Sequence, residues 1–283
     1  MACRSRKAGR GLGPACGQKE DAVRTVALQG VRNVRDLGGI TAGDGHVVRA
    51  GLLYRGSAPY DATPSDWRVL AEGLGVTCVI DLRCGWECEE HPYSTPSNVE
   101  YLHIPFYDLE KVGIEYTEAV TGTKVVGRDV ACDPQKFYHS LSNPLTAGQM
   151  RMALEHIFDR VSRQQAVYFH CSGGKDRAGV LAALILHALG ANSHDVLDDY
   201  LLTNVDRDKD RDQLFARFLR LANGDENRAR ELVLSHRALP ENLDAFYAGV
   251  NERYGSLESF ISDQLGMHQQ RRSQFREACT QPV

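Results

Sequence analysis

Short apolar runs alternate along the chain with polar, glycine-containing segments and with stretches of helical spacing. Residues 166–169 are apolar and aromatic, and residues 76–80 form a second, largely apolar run. Runs of this length that are bounded by charged or turn residues indicate buried strands. Because predicted helices separate these strands, we predict an α/β fold with a central, largely parallel sheet flanked by helices.

Three of the predicted helices and several short strands have local signals. The segment Thr63-Pro-Ser-Asp66 indicates a helix start, because threonine is a good N-cap and proline fits the first turn. Residues 145–161 have apolar positions at helical spacing. A third helix follows the strand at 166–169 and ends before Gly190, where a left-handed cap is expected. Further short strands are predicted at residues 31–39, 47–49, 52–55 and 101–106.

We predict a single domain over residues 26–275. Residues 1–17 are basic and glycine-rich without the apolar centre of a signal peptide, so residues 1–25 are predicted to be a disordered leader. The pattern weakens between residues 109 and 144, and we predict a partly helical lid there, over the functional site. Residues 191–275 are predicted to form an entirely helical C-terminal portion.

Charge and cysteine content exclude several functional classes. The 283 residues carry a formal net charge of −4, so general affinity for nucleic acid or anionic membranes is not expected. The longest apolar run, residues 178–189, is too short to span a membrane. Eight cysteines, without metal-type spacing and too few for a disulfide scaffold, predict no metal or other cofactor and a reducing, cytoplasmic location. Secretion without a signal peptide stays open.

The loop after the strand at 166–169 has the residue types that phosphate chemistry requires. Cys171 lies six residues before Arg177, with glycines between them and a predicted helix after them. Loop amides and a helix N-terminus attract an anion, and the guanidinium of Arg177 matches two phosphate oxygens. The same charges favour a nucleophilic Cys171 thiolate. In the structural alternative, the cysteine is a small buried hydrophobe, but the combined spacing favours catalysis.

The loop sequence His170-Cys-Ser-Gly-Gly-Lys-Asp-Arg177 matches the signature of the cysteine-dependent protein phosphatases. Its Gly-Lys-Asp-Arg form resembles a bacterial branch of tyrosine and dual-specificity phosphatases, some of which have reported phosphoinositide activity. The resemblance runs in order from about residue 26 to residue 275. Its other landmarks are Asn33–Gly39, Leu53–Arg55, Ile80–Arg83 with Glu87, Tyr200–Asn204 and Tyr254–Phe260.

The resemblance implies a cysteine-phosphatase-like fold and a role for each loop residue. Cys171 is then the nucleophile that forms a phosphocysteine, and Arg177 binds the phosphoryl oxygens. His170 orients the loop and helps to keep the thiolate ionised, or is simply a hydrogen-bonded core histidine. Lys175 either meets a second phosphate or lies at the rim. The implied phosphate-binding residues are Ser172, Gly173, Gly174, Lys175, Asp176 and Arg177.

Three aspartates are candidates for the general acid that protonates the leaving group. Asp108 follows Pro105-Phe-Tyr, which resembles an acid loop of tensin-type phosphatases, and Asp176 has been proposed for this role in the bacterial branch. Asp81 ends a strand beside the site, but the nearby Arg83 indicates a structural ion pair. We favour Asp108 or Asp176. The structural alternatives are an ordinary loop position for Asp108 and, for Asp176, an ion pair with Arg35 or Arg55.

The predicted function is a metal-independent protein-tyrosine phosphatase, with dual specificity left open. The substrate is then a phosphotyrosine protein. A phosphoinositide phosphatase is the first alternative, favoured by Lys175 and by the basic residues Lys111, Lys124 and Arg128 of the predicted lid. The second is a phospho-ligand-binding pseudo-phosphatase. It is favoured by Ala178, which stands where the family usually has a hydroxyl residue that stabilises the leaving sulfur.

Cys84 and Cys88 flank Trp86 just after the strand that ends at Asp81. Either thiol is placed to form a disulfide with an oxidised Cys171. The alternative for both is an inert, partly buried thiol.

Overall fold

The computed structural model describes residues 24–106, 134–208 and 211–283, and a five-stranded sheet lies at the centre of this part of the chain. The strands are β1 Arg35–Asp36, β2 His46–Val48, β3 Leu53–Ser57, β4 Val76–Asp81, β5 Glu100–His103, β6 Ala166–Cys171 and β7 Thr280–Pro282. The helices are α1 Pro64–Arg68 (extended by a π-turn, Val69–Gly73), α2 Gly85–Glu90, α3 Pro134–Ser140, α4 Pro144–Ser162, α5 Arg177–Leu189, α6 Ser193–Leu201, α7 Thr203–Asp208, α8 Arg211–Leu221, α9 Glu226–Ser235, α10 Pro240–Tyr254, α11 Leu257–Ser259 (extended by a π-turn, Phe260–Gln264) and α12 Gln269–Cys279.

The central sheet has the order β1-β3-β6-β4-β5, in which β3, β6, β4 and β5 run parallel and β1 is antiparallel. The prediction of a largely parallel sheet is therefore confirmed. Every residue of β6 is buried, as expected for a central strand covered on both faces. Val167, Phe169 and Cys171 face the core formed with α4 and α5, whereas Tyr168 faces the smaller core around α1 and Val79.

The carboxyl ends of three parallel strands meet at one edge of the sheet. Cys171 pairs in register with Ser57 at the end of β3, and His170 pairs with Asp81 at the end of β4. Open α/β sheets bind ligands at this edge, beyond the ends of their strands. The fold thus brings the predicted nucleophile and the charged end of β4 together.

Two predicted helix boundaries are present in the structure. Gly190 ends α5 with a φ of 93°, in the left-handed region expected there. Thr63 and Asp66 form a reciprocal capping box at the start of α1. The Asp66 carboxylate also accepts the backbone N–H groups of Gln29 and Gly30, which attaches the N-terminal segment to this helix.

The structure contains a strand that was not predicted, β7, which lies beyond the helical portion predicted at residues 191–275. Strand β7 pairs antiparallel with β2, with Thr280 opposite Val48, and forms a second sheet of two strands. The polar sequence of β7 has no alternating pattern that would predict a strand. The strand pairs with β2 through its backbone groups. The strand predicted at residues 31–39 is also shorter, since only Arg35 and Asp36 pair with β3.

Parts of two predictions lie outside the described residues. These parts are residues 1–23 of the predicted leader and residues 109–133 of the predicted lid. The rest of the lid segment contains α3 and the start of α4 at Pro144. Among the helices that the structure describes, none combines the length and the hydropathy needed to cross a membrane.

The partly buried His187 near the end of α5 makes the stability of the fold depend on pH. Burial, reinforced by Arg272, lowers its pKa to about 4, and its Nε2 lies 3.0 Å from the Tyr247 hydroxyl. The unfolded histidine takes up a proton at a higher pH than the folded one. The stability of the fold with a neutral His187 is therefore complete above the unfolded pKa and decreases as the pH falls towards 4. In urea titrations, we expect His187→Gln to reduce the loss of unfolding free energy between pH 7 and 4.5, by up to about 1.4 kcal/mol per pH unit. His268→Gln, at an exposed histidine, is the control; an equal slope in both variants would contradict the assignment.

Candidate active site

The loop between β6 and α5 is held from outside through its carbonyl oxygens. Asn33 Nδ2 donates to the Gly173 carbonyl at 3.1 Å, and Arg55 Nη2 donates to the carbonyls of Gly174 and Lys175 at 2.9 and 3.3 Å. In a trans peptide the C=O and N–H point in opposite directions. Because these carbonyls are directed towards Asn33 and Arg55, the N–H groups of the same peptides point towards the inside of the loop. A loop lined by such donors can bind an anion.

Asp199 on α6 fixes the arginine that binds the loop. Arg55 Nη1 lies 2.7 Å from one carboxylate oxygen, Arg35 Nε lies 3.1 Å from the other, and Arg24 also contacts the carboxylate. Burial alone raises the pKa of Asp199, but the three arginines outweigh it and hold the pKa well below its usual range. The structural alternative for Asp176, an ion pair with Arg35 or Arg55, is therefore wrong, since both arginines bind Asp199.

Arg177 is oriented by Glu87 on α2. Its Nη1 and Nη2 lie 2.5 and 2.9 Å from the two carboxylate oxygens of Glu87, which also accept the Ser172 hydroxyl. Burial raises the pKa of Glu87, but Arg177 and Ser172 lower it well below its usual range. Among the described residues, the buried Nε of Arg177 has no hydrogen-bond partner. An unpaired guanidinium donor beside an amide-lined loop is the feature expected of an oxyanion site.

Glu87 is one of the landmarks of the family resemblance, but the sequence pattern indicates no role for it. Its local signal is its position in the first turn of α2, where the carboxylate accepts the Cys84 backbone N–H at 2.9 Å. That signal predicts a helix cap. The contact with Arg177 connects residues ninety positions apart, and no local pattern indicates it.

His170 is buried between a tyrosine and the backbone. Its Nε2 lies 2.6 Å from the Tyr93 hydroxyl and its Nδ1 lies 3.1 Å from the Cys171 carbonyl oxygen. Burial lowers the pKa of the imidazole despite the nearby Asp81, so the ring is neutral at neutral pH. These contacts fit the predicted role of orienting the loop, but a neutral ring gives the Cys171 thiolate no positive charge. Tyr93 was not predicted, and no local signal marks it.

Asp81 forms the ion pair that the sequence indicated. Arg83 Nε and Nη2 lie 3.0 and 2.8 Å from its two carboxylate oxygens. Burial raises the pKa of Asp81, but His170 and Arg83 outweigh burial and hold it well below its usual range. A carboxyl group that is ionised in this way has no proton to give a leaving group.

Cys171 is buried at the end of β6, and its sulfur lies within electrostatic reach of Arg177. Arg177 begins α5, so the guanidinium and the partial positive charge of the helix N-terminus act on the same sulfur. The predicted nucleophile therefore lies beside both of these positive groups. Ala178 follows in the first turn of α5, fully buried in the core, so this position offers no hydroxyl to the sulfur.

The side chains of Lys175 and Asp176 contact neighbouring helices, an arrangement that the sequence did not predict. The Lys175 ammonium is buried and donates to the carbonyls of His236 and Arg237, at 3.2 and 3.3 Å, at the C-terminal end of α9. Its Nζ also lies 3.3 Å from Asp176 Oδ1, which accepts the Tyr138 hydroxyl at 2.7 Å. Neither alternative for Lys175, a rim position or an open second phosphate site, describes this arrangement. The other candidate acid, Asp108, lies outside the described residues.

The two candidate redox cysteines differ in position. Cys84 is buried, with its sulfur 3.7 Å from Arg177 Nη1, and it therefore borders the loop. Cys88 Sγ lies 3.6 Å from both an Asp81 oxygen and His103 Nε2, and burial raises its pKa to about 11. Of the two, Cys84 is therefore the one beside the site.

Comparison with known proteins identifies the family. The profile of the tyrosine phosphatase family matches residues 26–281. Protein H16_A0669 of Cupriavidus necator, whose name places it among tyrosine-protein phosphatases, is 28% identical over 246 residues, which cover 85% of this chain and 84% of that protein. The triple specificity protein phosphatase PtpB of Mycobacterium tuberculosis is 26% identical over 262 residues, which cover 83% of this chain and 92% of PtpB. The solved structure of P. aeruginosa TpbA is 16% identical, with a TM-score of 0.29 over 74% of this chain and 96% of TpbA. As the loop signature implied, the chain belongs to the tyrosine phosphatase family.

Proposed function

We propose that this protein is a metal-independent protein-tyrosine phosphatase that acts through a phosphocysteine on Cys171. The observation that carries the proposal is the Arg177–Glu87 pair beside a loop whose amides point inward around Cys171. This arrangement combines a nucleophile with donors for the equatorial oxygens of a phosphoryl group. The family and the names of its relatives support the same activity.

In the first step the Cys171 sulfur attacks phosphorus in line with the leaving group. An S–P bond forms, the P–O bond to the tyrosine breaks, and the leaving oxygen takes a proton from the general acid. Arg177 and the amides of residues 172–177 bind the three remaining oxygens. In the second step water attacks phosphorus and gives its proton to the carboxylate left by the acid. The S–P bond breaks, and phosphate and the thiolate are released.

The general acid is Asp108 or Asp176, the two candidates that the sequence favours. Asp176 lies at the end of the loop itself, at the start of α5. Asp108 follows the strand-end segment that contains Phe106, which is buried in the core. The mechanism also needs a reduced Cys171, for which a cytoplasmic location is suitable.

Two other functions compete with this proposal. The name of PtpB describes a triple specificity, which supports broader specificity here, including phosphoinositides. Against a lipid preference, the buried Lys175 ammonium is bound to helix carbonyls. A pseudo-phosphatase that binds but does not turn over its ligand is favoured by Ala178, since the missing hydroxyl slows hydrolysis of phosphocysteine.

The test is phosphate release, without metal and with a chelator, from a phosphotyrosine peptide and from phosphoinositide vesicles. We expect peptide turnover by the wild type and a loss of at least about 10⁴-fold in Cys171→Ser, because no other nucleophile replaces the thiolate. Cys279→Ser is the matched control, since Cys279 is equally buried. Faster turnover of the lipid would move the assignment to phosphoinositides. Binding of the peptide without turnover would show a pseudo-phosphatase.

A further inference from the structure

A chain of hydrogen bonds through two buried tyrosines ends on Asp176. Asn242 Nδ2 lies 3.3 Å from the Tyr200 oxygen, which lies 2.7 Å from the Tyr138 oxygen. The Tyr138 oxygen lies 2.7 Å from Asp176 Oδ1. Tyr138, Tyr200 and Asn242 are buried, whereas about a third of the Asp176 side chain is exposed (32%). The chain therefore connects the protein interior to a carboxylate at the edge of the phosphate loop.

The direction of the protons in this chain indicates whether the Oδ1 atom of Asp176 carries a proton. If Asp176 carried a proton and donated it to Tyr138, the Tyr138 O–H would donate to Tyr200. The Tyr200 oxygen would then accept from both Tyr138 and Asn242, and its own proton would lack an acceptor among the described residues. In the opposite direction each O–H has an acceptor, and the Asp176 Oδ1 that ends the chain carries no proton, as in an ionised carboxylate. Because a buried donor without an acceptor is costly, the second arrangement is favoured.

Lys175 favours the same state. Its ammonium lies 3.3 Å from the oxygen that accepts the Tyr138 hydroxyl. A cation and an O–H donor on one carboxylate oxygen both stabilise the charged form. Among the described residues, the titratable and charged groups facing Asp176 are Lys175 from the loop, Tyr138 from α3 and Tyr200 from α6, with Arg55 from β3 beyond Tyr200.

The side chain of Asp176 is also drawn away from its usual local role. Asp176 occupies the N-cap position of α5, where aspartate ordinarily accepts an amide of the first turn, but it forms no such cap. The carboxylate is bound by Tyr138 and Lys175 instead. The amides at the start of α5 thus stay available to an anion.

We propose that Tyr138 and Tyr200 are positioning residues that hold Asp176 ionised beside the phosphate loop, so that Asp176 does not protonate the leaving group. The Asp176 carboxylate adds a negative charge near the bound anion. The acid role passes to Asp108, the other candidate from the sequence. The statement about the leaving group rests on the proposed function, whereas the charge state of Asp176 can be measured without turnover.

The first experiment measures the binding of inorganic sulfate to the full-length Cys171→Ser protein between pH 4 and 8, since sulfate keeps its charge over this range. At pH 7 we expect Asp176→Asn to tighten sulfate binding by about fivefold, because it removes a nearby negative charge. Unchanged affinity would mean that Asp176 is already neutral and would overturn the proposal. This result does not depend on whether the protein is an active phosphatase.

The second experiment tests the tyrosines in the same assay. With Asp176 present, Tyr138→Phe removes a donor to the carboxylate, so the pH at which Asp176 loses its charge should rise by about one unit. The shift should vanish when Asp176 is asparagine. Tyr200→Phe should produce a smaller shift in the same direction. Tyr247→Phe, which removes a partly buried hydroxyl beside His187, is the control. An equal effect of Tyr138→Phe in both backgrounds would show a purely structural role.

The third experiment compares turnover of phenyl phosphate, which has a poor leaving group, with that of 4-nitrophenyl phosphate. We expect Asp176→Asn to change kcat/KM for the two esters by factors that agree within about twofold. Loss of a general acid costs about 10²-fold or more, mainly on the poor leaving group. A selective loss on phenyl phosphate would assign the acid to Asp176 and overturn the proposal. A wild type without activity on either ester would instead reject the proposed function.

Discussion

Replacing Glu87 by glutamine is expected to lower kcat/KM for 4-nitrophenyl phosphate by about 10²- to 10³-fold, the cost of losing one well-placed oxyanion donor. The carboxylate binds both Nη atoms of Arg177 and accepts the Ser172 hydroxyl, so it orients the guanidinium and the start of the loop together. A neutral amide offers one acceptor oxygen instead of two. Arg177 then loses its fixed orientation towards the phosphoryl group.

The same substitution leaves a buried cation without its counter-charge. Removal of one partner of a buried ion pair costs about 3 kcal/mol or more of unfolding free energy. Phosphate bound in the loop supplies the missing negative charge, and we expect it to raise the Tm of Glu87→Gln more than that of the wild type. Kinetics should be measured below the Tm of the variant, so that unfolding does not imitate a loss of activity.

The matched control for Glu87 is Glu155→Gln. Glu155 forms an exposed ion pair with Arg151, four residues earlier on α4, at 3.0 Å. Exposed pairs of this kind contribute about 0.5 kcal/mol or less, so stability and turnover should stay close to the wild type. If Glu87→Gln retained turnover within threefold of the control, Glu87 would not be the residue that orients Arg177.

The sequence predicted the centre of the molecule well because that centre is contiguous. Strand β6, the loop and α5 follow one another over residues 166–189, and their apolar pattern, glycines and cap are read from neighbouring positions. The parallel sheet followed from the alternation of strands and helices. The positions of Cys171 at the end of β6 and of Arg177 at the start of α5 could therefore be predicted without any knowledge of the tertiary structure.

The surroundings of the loop could not be predicted in the same way. Glu87, Asp199 and Tyr138 act on the loop through side chains that come from three separate helices. Each of them is locally an ordinary helix residue, and its role depends on which elements pack around the loop. The direction of the Lys175 side chain was missed for the same reason, because its acceptors are carbonyls at the end of α9.

Substitution of Gly174, in the loop between β6 and α5, is expected to have the second large effect. Gly174 has a φ of +67°, and a Cβ built on it would lie 2.4 Å from the backbone carbonyl carbon of Gly56 on β3. A backbone group in a central sheet cannot move aside as a flexible side chain can. The close approach of the two glycines also brings the Gly174 carbonyl within 2.9 Å of Arg55 Nη2. Displacement of the loop by an added methyl group should therefore disturb the direction of its amides.

Gly174→Ala is expected to lower kcat/KM by at least about 10²-fold, as displacements of about 1 Å do at reacting centres, and to weaken sulfate binding in parallel. Gly75→Ala is the matched control, because Gly75 has nearly the same φ, +68°, and nothing lies within 4 Å of its added Cβ. The control should lose about 1 kcal/mol of unfolding free energy, the cost of the left-handed conformation alone, with normal turnover. Equal losses of stability and activity in the two variants would mean that backbone conformation, rather than contact with Gly56, requires glycine at position 174.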